Sequence, residues 1–441
     1  MPKGPEKPAA SDQFIIRAYP LQFRKLYTVR ANQLPTSLPN DLRQFLAPFF
    51  ILSPYIDAAT EKGNRFQLKG GRGDRYAPPP VPNGPISASS RLACTIRKFA
   101  GGSPYDIMLA FGTSYSEVLK SVWTIVEAIN NCPQFAISYP ASIEEQRKIA
   151  AEFQAKSVPG ISNCAGAIDG IIIWMLKPSE KEAAKAGVNQ LKFLCGRKHK
   201  FGLNCQAVSD CRGRIIDISI KFGASSSDLL AFEASELHSR LEDGLMHQDG
   251  ENERFVLFGD NAYHINTTYL ATPFTNVAGD PNRAAEDSYN FYHSQLRIRV
   301  ECACGMLVQR WGILRMPMPR NLSIVKTVAI VNSLARLHNF CIGEVDTRKV
   351  PQVFSDDARY MNRNQNGHVD LTFGDNECDV PVPADLLHGG EHFMDVPRGY
   401  IRARQHNNPP PDRLPRTQIF NLIVDGHWER PTMMQQQLNR T

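Results

Sequence analysis

The chain has 441 residues, 42% of them hydrophobic, with 50 Lys and Arg against 44 Asp and Glu, a formal charge of +6. That length suits two to three domains with a sizeable core, and it excludes collagenous, small disulfide-rich and wholly disordered classes. No apolar run is long enough to cross a bilayer, no signal peptide is expected ahead of Asp12, Arg17, Arg24 and Lys25, and ten cysteines without a C-x-x-C pair point to reduced thiols in an intracellular protein.

From Met1 to Pro80, twelve Lys and Arg face six acids, an excess equal to that of the whole chain. A basic arm is therefore joined to a balanced body, which reads either as attraction to a polyanion such as DNA or as plain solubility. Lys62 to Pro85 is dense in Gly, Pro and Arg and forms a linker, so residues 1–85 are arm and linker together. Over 86–135 three short helices are predicted. Ser89 to Phe99 places Leu92, Ile96 and Phe99 at helical spacing, Pro104 to Phe111 follows, and Thr113-Ser114 opens a third with Val118, Val122, Ile125, Val126 and Ile129 on one stripe. This is either a helix-turn-helix-like module or a plain packing domain, because Lys120 is the only cation its third helix offers.

From 160 to 345 the pattern changes to β-like runs: Ala165 to Leu176, Phe201 to Ser209, Arg214 to Phe222 and Arg254 to Phe258. One helix is expected over Asp228 to Leu241, and long helices over Glu286 to Gly312 and Ser323 to Phe340. The fold class is α/β, a mixed sheet flanked by helices. Residues 346–441 form a polar, Pro-rich extension in which Ile419 to Val424 is amphipathic enough to dock on the core.

Three acids stand where an acid needs a reason. Asp169 interrupts the apolar run Ala167-Ile168-Asp169-Gly170-Ile171-Ile172-Ile173, and an unpaired carboxylate buried there costs several kcal/mol, of order. Asp260 ends the strand Phe255-Val256-Leu257-Phe258-Gly259, at the end of a strand where α/β sheets place ligand chemistry. Glu301 follows Arg297 and His293 at successive i, i+4 steps, which puts all three on one helix face. Singly, each has a structural explanation: a salt-bridged buried acid, a helix cap, a helical ion pair. Together, two strand acids and one helix acid are what binds two divalent metals for phosphodiester chemistry.

The motifs resemble those of the PIF/Harbinger DDE transposases and the Harbinger-derived nucleases. Ala167-Ile168-Asp169-Gly170 precedes Lys177-Pro178, and Gly259-Asp260-Asn261-Ala262-Tyr263 leads to Thr272-Pro273-Phe274. Then come Tyr289-Asn290-x-x-His293-Ser294-x-x-Arg297-x-x-x-Glu301-x-x-x-Gly305 and Leu337-His338-Asn339-Phe340. A further block, Lys200 to Asp210, echoes the family's intermediate strand, and the resemblance runs from about Ile86 to Ile342 with a faint return at Arg430-Pro431.

The resemblance implies an RNase H-like DDE core in which Asp169, Asp260 and Glu301 are the catalytic and metal-binding triad for two Mg²⁺ or Mn²⁺ ions. It implies that Arg297 touches a DNA phosphate; His293 is either a second contact or a structural histidine. Where members often carry a Lys seven residues after the glutamate this chain has Val308, which moves that contact to Arg310 or removes it. Asp228, in Ser225-Ser226-Ser227-Asp228, is either an auxiliary acid or part of a helix cap. The basic run holding Lys198 and Lys200 is either a DNA-backbone contact beside the site or a solvated hairpin. The expected function is a metal-dependent DNA endonuclease or transposase, the alternative a catalytically silent DNA-binding or interaction module. Expected partners are DNA, a Myb-like DNA-binding protein and further copies of the chain, with no membrane, in the nucleus and in part the cytoplasm.

Overall fold

A run such as Ala167 to Ile173, apolar on both of its alternating faces, can only be satisfied between two layers. It lies in β1 (Cys164–Trp174), inside a six-stranded sheet covered by helices. The computed structural model describes residues 88–344 and 414–431, with residue 86, apart from 250–252, 265–266, 276–281 and 320–321. The basic arm and most of the C-terminal extension lie outside the described residues.

The other strands of the sheet are β2 (Leu194–Cys195), β3 (Lys200–Ser209), β4 (Ile215–Gly223), β7 (Val256–Phe258) and β8 (Leu270–Ala271); β5 (Gln248–Asp249) and β6 (Glu253–Arg254) form a separate hairpin. β2 and β4 both pair antiparallel with β3, β3 pairs antiparallel with β1, and β1, β7 and β8 run parallel. The change to parallel pairing requires a crossover between β4 and β7. It is made by α6 (Asp228–Glu233) and α7 (Glu236–Glu242), two helices where the sequence suggests one. Ser235 divides them, its side chain accepting the His238 N–H and so capping a new helix.

The N-terminal helices are α1 (Ala88–Phe99), α2 (Pro104–Phe111) and α3 (Tyr115–Asn131), with Ser103 and Ser114 capping the last two. Of the two readings left open by the sequence, their packing fits the plain helical packing domain. From Val118 to Ile129, α3 is buried at every residue but Lys120 and Thr124. Val122, Ile125 and Val126 share one core with Ile173 and Leu203 of the sheet and with Val331 and Leu334 of α9 (Ile324–Glu344). Asn130 Nδ2 donates to the Ala329 carbonyl at 3.0 Å. From Val118 onward this helix is therefore part of the core.

A second core joins Ile168, Val208 and Phe258 to α4 (Ile143–Gln154), to Leu296 and Val300 of α8 (Arg283–Arg310), and to α10 (Pro415–Asp425). The short α5 (Glu180–Lys185) follows β1. The amphipathic segment expected to dock is α10, whose buried Ile419 and Ile423 contribute roughly 1.5–3 kcal/mol each. Beyond it, Arg430 pairs with Asp287 at 2.9 Å, and the Glu429 carbonyl accepts the Tyr292 hydroxyl, clasping the start of α8. β4 is an edge strand. The Asn339 amide covers both backbone groups of Ile215, and further along the edge a cleft of about 280 Å³ lies between β4, α7 and α9.

Candidate active site

Strand register brings the two aspartates together. Ala167 of β1 lies beside Phe258 of β7 in parallel pairing, so two residues further on Asp169 and Asp260 are neighbours at the end of β7. Asp260 Oδ1 accepts the Ala262 N–H at 2.8 Å and caps the single turn Asn261–Tyr263. Asp169 Oδ1 accepts the Gly170 N–H at 2.8 Å, leaving Oδ2 towards α8. There Arg297 stands 3.9 Å from Asp169 Oδ2 and 2.5 Å from Glu301 Oε1. Burial raises the Asp169 carboxyl to about 7; Arg297 opposes this, the Asp260 and Glu301 charges add to it, and the Gly170 N–H works against it. The triad expected from the sequence is brought together, with Arg297 among its members.

His293 has a different task. It is fully buried, its Nε2 donates to the Ala271 carbonyl at 3.1 Å, and its ring stacks on Phe258 at 4.7 Å. Burial pushes it down to about 4, so it is neutral, and it fastens α8 to β7 and β8 rather than facing a phosphate. This is the structural alternative left open by the sequence. Arg310 is likewise turned away: its Nη1 bonds His338 Nδ1 at 3.1 Å and the His338 carbonyl at 3.3 Å.

Lys198 and Lys200 are exposed at the β2–β3 turn, with Lys200 Nζ 5.5 Å from the Trp174 ring. Asp169 pairs with Ala207 of β3, seven residues from Lys200, which is roughly 23 Å along a strand. They form a hairpin remote from the carboxylates rather than a contact beside them.

Asp228 is held on the opposite side of β1. Ser227 provides the helix cap, and Asp228 Oδ1 accepts amide N–H groups from Asn204 and Gln206, each at 3.1 Å. Gly170 makes room for it, since a Cβ there would come within 2.2 Å of Asp228 Oδ1. Successive strand residues face opposite ways, so this network lies behind Asp169. Tyr263 completes it by donating its hydroxyl to Gln206 Oε1. Asn204, Gln206 and Tyr263 carry no role in the sequence reading; all three lie in motif blocks, Asn204 and Gln206 in the intermediate strand and Tyr263 after Asp260.

All nine described cysteines are free, with Cys302 exposed and Cys304 buried on opposite sides of α8 as their spacing predicts. Among the described residues no helix is long and apolar enough to cross a membrane. Among them, too, no group of three His, Cys, Asp or Glu is arranged to hold a metal ion. Arg297 lies within 4 Å of both Asp169 and Glu301.

The DDE superfamily endonuclease family matches residues 168–339, a span that contains all three acids. The chain is 25% identical over 230 residues to HARBI1 of Bos taurus and of Homo sapiens, each named as a candidate nuclease. It is 24% identical over 291 residues to the Arabidopsis thaliana protein named antagonist of like heterochromatin protein 1, a stretch covering 63% of this chain and 69% of that one. The HARBI1 match covers 52% of this chain and 60% of each relative, so it spans well under two thirds of their length. No solved structure matches the chain. With one acid within β1, one just past the end of β7 and one on α8, the chain carries a DDE superfamily endonuclease domain over residues 168–339 and is similar to the Harbinger-derived nucleases.

Proposed function

We propose that this chain is a divalent-metal-dependent nuclease that cleaves DNA phosphodiester bonds, with Asp169, Asp260 and Glu301 as ligands of two Mg²⁺ or Mn²⁺ ions. The observation that carries this reading is the convergence of three carboxylates, from β1, the end of β7 and α8, inside the matched endonuclease domain. An all-oxygen, anionic donor set suits hard divalent cations. Such ions supply activation of water or a 3′-hydroxyl and stabilisation of the leaving oxygen.

The chain's own residues prepare that chemistry. One oxygen of each aspartate is fixed by a backbone N–H, which orients the other. His293 holds α8 in place so that Glu301 stays level with the strands. The strand order, three antiparallel then two parallel, supports an RNase H-like core. Strand transfer, a Myb-like recruiting partner, self-association and a nuclear location complete the proposal.

The test is nicking of duplex DNA with Mn²⁺ or Mg²⁺. Activity is expected to disappear in Asp169→Ala, Asp260→Ala and Glu301→Ala, and activity that survives any of these overturns the reading. A second reading, a catalytically silent module on the same fold, is favoured by Arg297 already neutralising two of the acids. Metal titration separates the two: the nuclease takes up two ions, the silent module none.

A further inference from the structure

We propose that Arg297 is a removable counter-ion, which holds Asp169 and Glu301 in the metal-free protein and must leave both when a divalent cation is taken up. This rests on the nuclease reading and adds to it an order of events. The guanidinium sits between the two acids, 2.5 Å from Glu301 Oε1 and 3.9 Å from Asp169 Oδ2. A cation bound by those oxygens competes with it for the same lone pairs and the same space. The base of the device is fixed by packing, its tip only by the two ion pairs. His293 locks α8 one turn earlier against the Ala271 carbonyl, whereas Arg297 reaches the site on a long side chain with several rotamers.

The strength of the hold suits exchange. Glu301 is 44% exposed, so its pair with Arg297 is partly solvated, and the 3.9 Å to the more enclosed Asp169 is at the outer limit of an ion pair. A divalent ion with two or three carboxylates available therefore displaces the arginine instead of being shut out by it. The displaced guanidinium carries its charge to the mouth of the site, where a phosphate oxygen is the natural acceptor. Metal uptake and engagement of the DNA backbone then favour each other, because each takes one partner of the same ion pair.

The experiment uses the full chain without DNA and titrates Mn²⁺, following the free ion by electron paramagnetic resonance, with thermal melts in chelator beside it. Arg297→Gln is expected to bind Mn²⁺ about tenfold more tightly than the parent, to melt at lower temperature without metal, and to regain that loss when Mn²⁺ is added. Arg297→Lys, which keeps a charge but cannot bridge both acids, is expected to fall between the two. Equal or weaker Mn²⁺ binding in Arg297→Gln overturns the proposal. If that variant gives no cooperative melt, unchanged binding in Arg297→Lys overturns it and tighter binding supports it. Absence of Mn²⁺ uptake by the parent and by both variants removes the nuclease reading itself, an outcome distinct from parent and variants binding alike.

Discussion

A carboxylate in an otherwise uncharged, mostly Ala, Gly and Ile strand loses its water and recovers only part of the stabilisation from Arg297. The folded Asp169 titrates near 7, above the ordinary value of 3.8, so between these points the folded chain holds a proton that the unfolded chain has released. Its contribution to stability is whole below the ordinary value and is lost as pH rises through about 7. In chelator, Asp169→Asn should therefore be more stable than the parent by about 2 kcal/mol near pH 8, with the gap closing towards pH 4; melting curves across that range check it. Asp217 on β4 is also raised to about 7, by burial first, with Arg240 opposing and Glu236 adding. It acts with the same sign, so only the portion removed by Asp169→Asn belongs to the active site.

At the scale of elements, two asparagines perform one task in two motifs. Asn290 Oδ1 accepts the Phe274 N–H at 2.8 Å while its Nδ2 donates to the Phe274 carbonyl at 3.0 Å. Asn339 does the same to Ile215, at 2.7 and 2.6 Å. An amide side chain here imitates the neighbouring strand that the backbone lacks. Asn339→Ala leaves a donor and an acceptor of Ile215 unpaired and should cost about 2–3 kcal/mol in denaturant unfolding; a loss below 0.5 kcal/mol would show that water takes over both groups. Such pairings were hidden in the sequence, because they depend on which strand end lies beside which helix. The strands themselves were legible, since runs such as Ile168 to Ile173 allow few alternatives. The position of Asp169 was legible too, an acid in an apolar strand being conspicuous. Helix α4 passed unread, although Ser142 and Glu145 form a capping box at its start. The Asn204, Gln206, Asp228 and Tyr263 network could not be read, because cross-strand register decides it.

For the whole molecule, charge is divided along the chain: the excess of six cations lies before Pro80, and the acids that matter lie in the body. Removing residues 1–80 should weaken DNA binding and flatten its dependence on salt while Mn²⁺ uptake is retained; an unchanged salt slope would place the DNA-binding cations elsewhere. The body has an asymmetry of its own. One margin of the sheet, β8, lies against the α8 and α10 layer, whereas β4 leaves part of its outer margin open above the cleft. A bare strand margin is a template on which another chain can add itself, the first step of aggregation. Asp217 and Lys221 line that stretch, and Asn339 closes its beginning. Lys221, whose charge is costly to enclose between sheets, works against extension of the ladder there.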